Sequence, residues 1–420
     1  MNETLLAGGI FLVTYALIVS ERVDRTIAAL IGGMLMILLG IVPQEIAFES
    51  IDWNVIFLLA GMMIIANILR ETGVFQWIAV KAVRLGRGSP MRILIILSLI
   101  TAVASALLDN VTIIILIAPV TLFIAASLRI SPVPLLIAEV LASNIGGAAT
   151  LIGDPPNILI GSAAGISFNV FAANMAPISL VILVAFTGVA FLLFRKDLQS
   201  GRSRSVDLEA LEARELITNA PLLRKSIVVL VGIVVGFLFQ GALHLEPATI
   251  AMVGATVLML WARSDSHSVL RDVEWPTLFF FIGLFITVEA IVEVGIIEQV
   301  ANAALGLTGG SLPLTSILLL WLSAVASGIV DNIPYTATMI PVVTSLGQAM
   351  PVEPLWWSLA LGADLGGNLT LVGASANVVA VSLAARSGYP ISFGSWLRYG
   401  IPVTVVSLLL ASVYVWLRYL

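Results

Sequence analysis

The sequence of 420 residues contains no cysteine, which excludes disulfides and thiolate metal sites. Its two histidines, His244 and His267, are too few for a histidine-rich metal centre. No cofactor is expected. Charge is scarce as well: 11% of residues are charged and 60% hydrophobic, against about 25% charged in an ordinary soluble domain. So few charges cannot cover a soluble protein of this length. The formal charge of −5 offers no basic face, so nucleic acid is excluded as a partner. There is no G-x-x-x-x-G-K-[ST] run, so the chain does not hydrolyse ATP by itself. What these absences leave is an all-α polytopic membrane protein. At about 20 apolar residues per span, the length allows roughly ten spans.

The first twenty residues carry Glu3 rather than a basic leader and no A-x-A-like cleavage site, and read as the first span. Further apolar runs lie near 26–42, 53–70, 175–194, 226–243, 247–262, 275–292 and 397–417. Between them lie apolar stretches with polar interruptions. Residues 91–129 break at Asp109-Asn110, and 313–350 at Asp331-Asn332. Residues 134–164 break at GDPPN, and 355–386 at GASAN. Broken segments at membrane depth are tolerated where they line a protein-enclosed cavity. Residues 195–225 hold 12 of the 45 charged residues and form a polar linker between halves 1–194 and 226–420. A solvated linker is its simplest role; contact with a soluble ATPase is the alternative.

The halves repeat. SALLDN, ending at Asn110, matches SGIVDN, ending at Asn332, and Gly61 matches Gly283, all at an offset of 222. SNIGGAATLIGDPPN (143–157) matches ADLGGNLTLVGASAN (363–377) at 220. Shared hydrophobicity does not hold an offset through polar and glycine positions, so the chain reads as a duplication. Following the spans in order puts 19 of the 20 Lys and Arg residues on the cytoplasmic side, leaving only Arg418 outside. That assignment needs 91–129 and 313–350 to be re-entrant hairpins. It makes each half five crossings plus one hairpin, inverts the halves, puts the linker in the cytoplasm and puts both termini outside. Inverted repeats with paired broken helices are the architecture of secondary transporters, with the site near the midplane.

Six acids fall inside the apolar segments: Asp109, Glu139, Asp154, Glu289, Asp331 and Asp364. No base accompanies them there, so each must be protonated, cation-bound or hydrogen-bonded. The set of acids points to a proton or small cation as coupling ion. Either member of Asp109-Asn110 and of Asp331-Asn332 can cap the following helix. Gly146-Gly147 and Gly366-Gly367 let the backbone bend and approach a ligand, with tight helix packing as the plainer role. Thr150, Thr370, Asn157 and Asn377 supply neutral polar groups beside backbone freed at the breaks. Asn144, Asn368, Thr112 and Thr336 complete the candidate substrate set. Asp109, Asp154, Asp331, Asp364 and Glu139 are the candidate coupling acids. An intramembrane aspartyl protease would also need two facing aspartates, but no G-x-G-D arrangement is present.

The runs LLDNVT (107–112), NIGGAATLIGDPPN (144–157), VDNIPYTATMIP (330–341) and LGGNLTLVGASANVV (365–379) resemble the ion transporter superfamily. They are similar to its branch of arsenite/antimonite efflux permeases and the melanosomal P protein. The resemblance covers nearly the whole chain. It implies inverted repeats, hairpin tips meeting near the substrate, an elevator mechanism and a homodimer, in a bacterial inner membrane. The sodium–dicarboxylate branch carries Ser-Asn-Thr at its tips; here they read Asp109-Asn110-Val111 and Asp331-Asn332-Ile333. The expected function is proton-coupled efflux of arsenite or antimonite. The alternatives are sodium/proton antiport and inorganic-anion transport.

Overall fold

The computed structural model describes residues 3–20, 22–199 and 217–420, and among these every regular element is a helix. Most of the polar linker therefore lies outside the described residues, including Arg202, Arg204 and Arg214. The first half comprises α1 (Glu3–Ser20), α2 (Arg25–Leu38), α3 (Gln44–Glu49), α4 (Trp53–Arg70), α5 (Val74–Gly86), α6 (Pro90–Ser105), α7 (Asn110–Leu128), α8 (Val133–Gly147), α9 (Pro155–Ala163) and α10 (Phe168–Gln199). The second comprises α11 (Ala220–Leu238), α12 (Gln240–Leu243), α13 (Pro247–Ala262), α14 (Ser266–Arg271), α15 (Trp275–Glu293), α16 (Ile296–Thr308), α17 (Leu312–Val330), α18 (Asn332–Leu346), α19 (Glu353–Gly366), α20 (Ser375–Arg386) and α21 (Phe393–Tyr419).

Eight helical segments among the described residues are long and apolar enough to cross a membrane, and α2, α6, α8 and α13 are shorter apolar helices. The long set includes α7 and α17, limbs of the two expected hairpins. At 19 residues each is about 28 Å long, so length alone does not mark these limbs as re-entrant. Their polar tips, Asp109-Asn110 and Asp331-Asn332, are buried in protein.

Burial sorts the helices into centre and rim. Every residue of α8 from Pro134 to Gly147 is buried, as is every residue of α19 from Pro354 to Gly366. A helix buried all round belongs in a core, and these two carry Gly146, Gly147 and Gly366 together with Glu139, Asn144 and Asp364. Peripheral helices show the opposite pattern. Leu5 of α1, Val184 of α10, Val231 of α11, Leu260 of α13 and Leu417 of α21 all expose apolar side chains, an apolar perimeter suited to lipid.

Close packing recurs at aligned positions. A Cβ on Gly146 of α8 would lie 2.1 Å from the Ala102 carbonyl of α6, and one on Gly366 of α19 would lie 2.4 Å from the Ala324 carbonyl of α17. Gly61 of α4 meets Ala251 of α13 in the same way, and Gly283 of α15 meets Ala29 of α2. The last two contacts are reciprocal: Gly61 and Gly283 are 222 apart, and so are Ala29 and Ala251. The close approach that Gly146 and Gly366 permit is therefore to a neighbouring helix, which favours their packing role.

Candidate functional site

The site is built where two hairpin tips meet two helix breaks. In the first half α6 and α7 are joined at 106–109. Asp109 caps α7, its Oδ1 accepting the Thr112 amide at 2.9 Å. In the second half Asp331 alone separates α17 from α18, and its Oδ1 accepts the Ile333 amide at 3.0 Å. Asp331 has φ +91° and ψ 140°, a region that non-glycine residues enter only under strain of about 1–3 kcal/mol. Asp109, with φ −61°, carries no such strain. The capping reading thus holds for both acids and leaves Asn110 and Asn332 facing inward, almost fully buried.

The breaks are anchored alike in both halves, although only the first carries prolines. α8 stops at Gly147 and α9 restarts at Pro155, whose missing N–H and fixed φ suit the first helical position. Thr150 Oγ1 donates to the Ala106 carbonyl at 2.6 Å and Thr370 Oγ1 to the Gly328 carbonyl at 2.5 Å, so each break is tied to its own hairpin. Asn157 Nδ2 donates to the Gly147 and Thr150 carbonyls at 3.2 and 3.1 Å. Asn377 Nδ2 does the same for Gly367 and Thr370 at 2.7 and 2.8 Å. These four bonds give a side-chain donor to carbonyls freed at the helix breaks. The protons of both threonines and both amide groups are consequently spent on the scaffold.

Between the tips lies one polar junction. Asp154 occupies the cap position of α9 yet makes no capping bond. Its Oδ2 accepts from Asn110 Nδ2 at 2.7 Å and its Oδ1 from Asn332 Nδ2 at 3.2 Å. One carboxylate thus holds both hairpin tips, and two amide donors together with the N-terminus of α9 suit a negative charge there. Asn110 Nδ2 also reaches Asn144 Oδ1 at 3.1 Å. Asn144 Nδ2 donates across to Asn368 Oδ1 at 2.9 Å and Asn377 Oδ1 at 3.0 Å. Asn144, Asn368, Asn377 and Asn157 are fully buried.

The remaining candidates are placed less centrally. Asp364 is fully buried with neither carboxyl oxygen hydrogen-bonded. Thr336 is buried with its hydroxyl unpartnered. Glu139 lies five residues before Asn144 on α8, about 7.5 Å along the axis, and accepts from Thr121 Oγ1 of α7 at 2.6 Å. That bond belongs to helix packing rather than to the junction.

One sequence-based expectation needs correction: the acids are not without a base. Arg25, at the start of α2, places Nη1 3.5 Å from Asp331 Oδ2 and 2.5 Å from Ser375 Oγ, with its guanidinium over the Phe280 ring. Ser375 Oγ in turn donates to Asp331 Oδ2 at 3.0 Å. Arg25, Ser375 and Tyr15, whose hydroxyl bonds the Pro334 carbonyl and Thr338, are site residues that motif reading missed. Arg25 read only as a flanking base, and its partner is 306 residues away. The one available signal was its position as the last base before an apolar run.

Two cavities lie beside the helix breaks. One of about 430 Å³ is lined by Asn54, Leu151, Ile158, Gln240 and His244, among others. The other, about 320 Å³, is lined by Asp24, Arg25, Asp331, Ser375 and Val378, among others.

Over its full length the chain resembles the crystal structure of the Alcanivorax borkumensis YdaH transporter, with a TM-score of 0.57, 16% identity and coverage of 99% and 98% of the two chains. That likeness concerns the fold alone. The chain is 50% identical to an uncharacterised transporter of Mycobacterium tuberculosis and 48% identical to a 46 kDa membrane protein of Mycobacterium leprae, with 99% of each chain covered in both cases. It is 36% identical to the human P protein over 97% of its own length and 59% of that protein's. The model of a family described as citrate transporter, CitMHS, matches residues 15–362. On that match and these relatives, the chain belongs to the CitMHS citrate transporter family and is a membrane transporter, not an enzyme.

Proposed function

We propose that the chain is a secondary active transporter that moves a small solute through the junction of Asn110, Asn144, Asp154 and Asn332. The observation that carries this reading is the convergence of two hairpin tips, 222 residues apart in sequence, on the single carboxylate of Asp154. The reciprocal glycine contacts of α4 with α13 and α15 with α2 support two repeats related by an in-plane pseudo-twofold axis. With the linker in the cytoplasm and the termini outside, the cavity at Arg25 faces the cytoplasm and the cavity at His244 faces the exterior. The junction closes the space between them. Opening to each side in turn then requires the hairpins and broken helices to move as a unit against α2, α4, α10, α11, α13, α15 and α21, an elevator motion in a homodimer.

The specific form proposed is efflux of arsenite or antimonite across a bacterial inner membrane, driven by proton return. Arsenite near neutral pH is an uncharged trihydroxy solute. Amides and a carboxylate suit its hydroxyls, and the lack of thiolates allows release. A second reading, an anion carrier, is favoured by Arg25 beside the second cavity and by the family's description. Everted membrane vesicles test both, with arsenite, citrate, chloride and sodium each added to an established proton gradient. Arsenite accumulation with partial collapse of the gradient is the expected result. Accumulation of citrate or chloride instead supports the anion reading. A gradient collapsed only by sodium marks an antiporter, and no response to any of the four overturns the proposal.

A further inference from the structure

We infer that Asp364 is the proton-holding group of the transporter, carried as a neutral carboxylic acid that donates to Asn157 Oδ1. The inference rests on the transporter reading above and names the residue that holds its coupling proton.

It follows from a mismatch between the halves. Each break has an asparagine whose Nδ2 is fully used by two carbonyls: Asn377 on Gly367 and Thr370, Asn157 on Gly147 and Thr150. Both hydrogens being committed, each side chain must present Oδ1 to its remaining neighbour. For Asn377 that neighbour is Asn144, whose Nδ2 donates at 3.0 Å. The offset of 220 that carries Asn157 to Asn377 carries Asn144 to Asp364. Asp364 lies on α19, which packs against α9, the helix that carries Asn157, and Asn157 Oδ1 and both Asp364 oxygens have no hydrogen-bond partner. Three buried acceptors on these two packed helices are therefore left without a donor. A proton on Asp364 resolves this at once by supplying the O–H that replaces the N–H of Asn144. A bare carboxylate would be fully buried against a carbonyl oxygen, the costliest arrangement available.

The groups around Asp364 act in the same direction. From the loop before α9 it faces Asp154, with Asp331 and Asp109 further round that acid. Among the described residues no Lys, Arg or His forms an ion pair with Asp364. Asp154 has a donor on each oxygen and Asp364 has none, so of the two acids Asp364 is the one whose surroundings favour the neutral form more. A sodium ion is a poorer occupant: three converging oxygens are about half the shell a hard cation takes. The contact joins α9 to α19, one from each half, so losing the proton repels Asp364 from Asn157 and loosens the seam between the halves.

The test is infrared titration of the purified protein in lipid, comparing wild type with Asp364→Asn. That variant restores the donor present at Asn144, so it is expected to fold. The difference spectrum is expected to show one protonated-carboxyl band at neutral pH that converts to carboxylate bands in alkali. Asn157→Leu, which removes the acceptor, is expected to move that band and provides the measurement if Asp364→Asn does not fold. Carboxylate bands at neutral pH overturn the inference, as does a band that responds to sodium at fixed pH. The spectrum is read without any flux, so an incorrect transport reading and an incorrect proton assignment give different results. In a flux assay, Asp364→Asn is expected to bind solute but lose the dependence of transport on the pH gradient.

Discussion

Replacing Asn144 by alanine is expected to destabilise the protein far more than its size suggests. Its Nδ2 is the donor to Asn368 Oδ1 and Asn377 Oδ1. Asn144→Ala leaves both as buried acceptors without that donor, each costing about 1–3 kcal/mol, or about 2–6 kcal/mol together. Asn110 is less affected, because its amide keeps Asp154 at 2.7 Å. Against a total stability of about 5–15 kcal/mol, this loss is readily measured by denaturation in mixed micelles. Asn144→Asp offers a sharper comparison. It preserves shape and the acceptor for Asn110 but supplies at most one proton for two acceptors, so its loss should fall between those of wild type and Asn144→Ala. Combining Asn144→Ala with Asn377→Ala removes donor and acceptor together, and the cycle should give a coupling of about 0.5–3 kcal/mol. If Asn144→Ala lies within about 0.5 kcal/mol of wild type, the range of an uninvolved surface site, the junction is not the structural link described here.

Other substitutions probe the surrounding parts. Gly146→Ala and Gly366→Ala drive a Cβ into the Ala102 and Ala324 carbonyls, and each should lose about 1–3 kcal/mol. Gly188→Ala on α10, where nothing lies within 4 Å, should be neutral or slightly stabilising in the same denaturation assay. Arg25→Gln removes the ion pair to Asp331, but Arg25 is about one-third exposed, so the stability change should stay below about 1 kcal/mol. The same change should speed alkylation of a cysteine placed at Val378 in the adjoining cavity; an unchanged rate would show that the pair does not restrain the second tip. Because the chain has no native cysteine, such labels report without background.

The sequence was legible where chemistry is local. The four breaks are written as DN, DN, GDPPN and GASAN, and each lies at the expected helix end. The capping roles of Asp109 and Asp331 could be read because a cap acts within three residues. The glycine pairs were ambiguous in sequence, since bending toward a ligand and packing against a helix require the same missing Cβ; only the positions of Ala102 and Ala324 separate the two. Long-range pairings were not legible. Nothing near Arg25 points to Asp331, and nothing near Asn144 points to Asn377, 233 residues away. Aligning the halves showed that Asp364 stands where Asn144 has an amide, but its consequence depends on the orientation of Asn157, which only tertiary hydrogen bonds fix.

The most direct test of the junction as the transport site is flux through purified protein in liposomes, comparing wild type with Asp154→Asn. The substitution turns one acceptor oxygen into an NH₂ group facing the amides of Asn110 and Asn332, so one tip loses its partner. Wild-type protein is expected to move arsenite against its gradient when a pH gradient is imposed, and Asp154→Asn, confirmed as folded, to move none. Equal flux through the two proteins would contradict the assignment of the joined hairpin tips as the path of the solute.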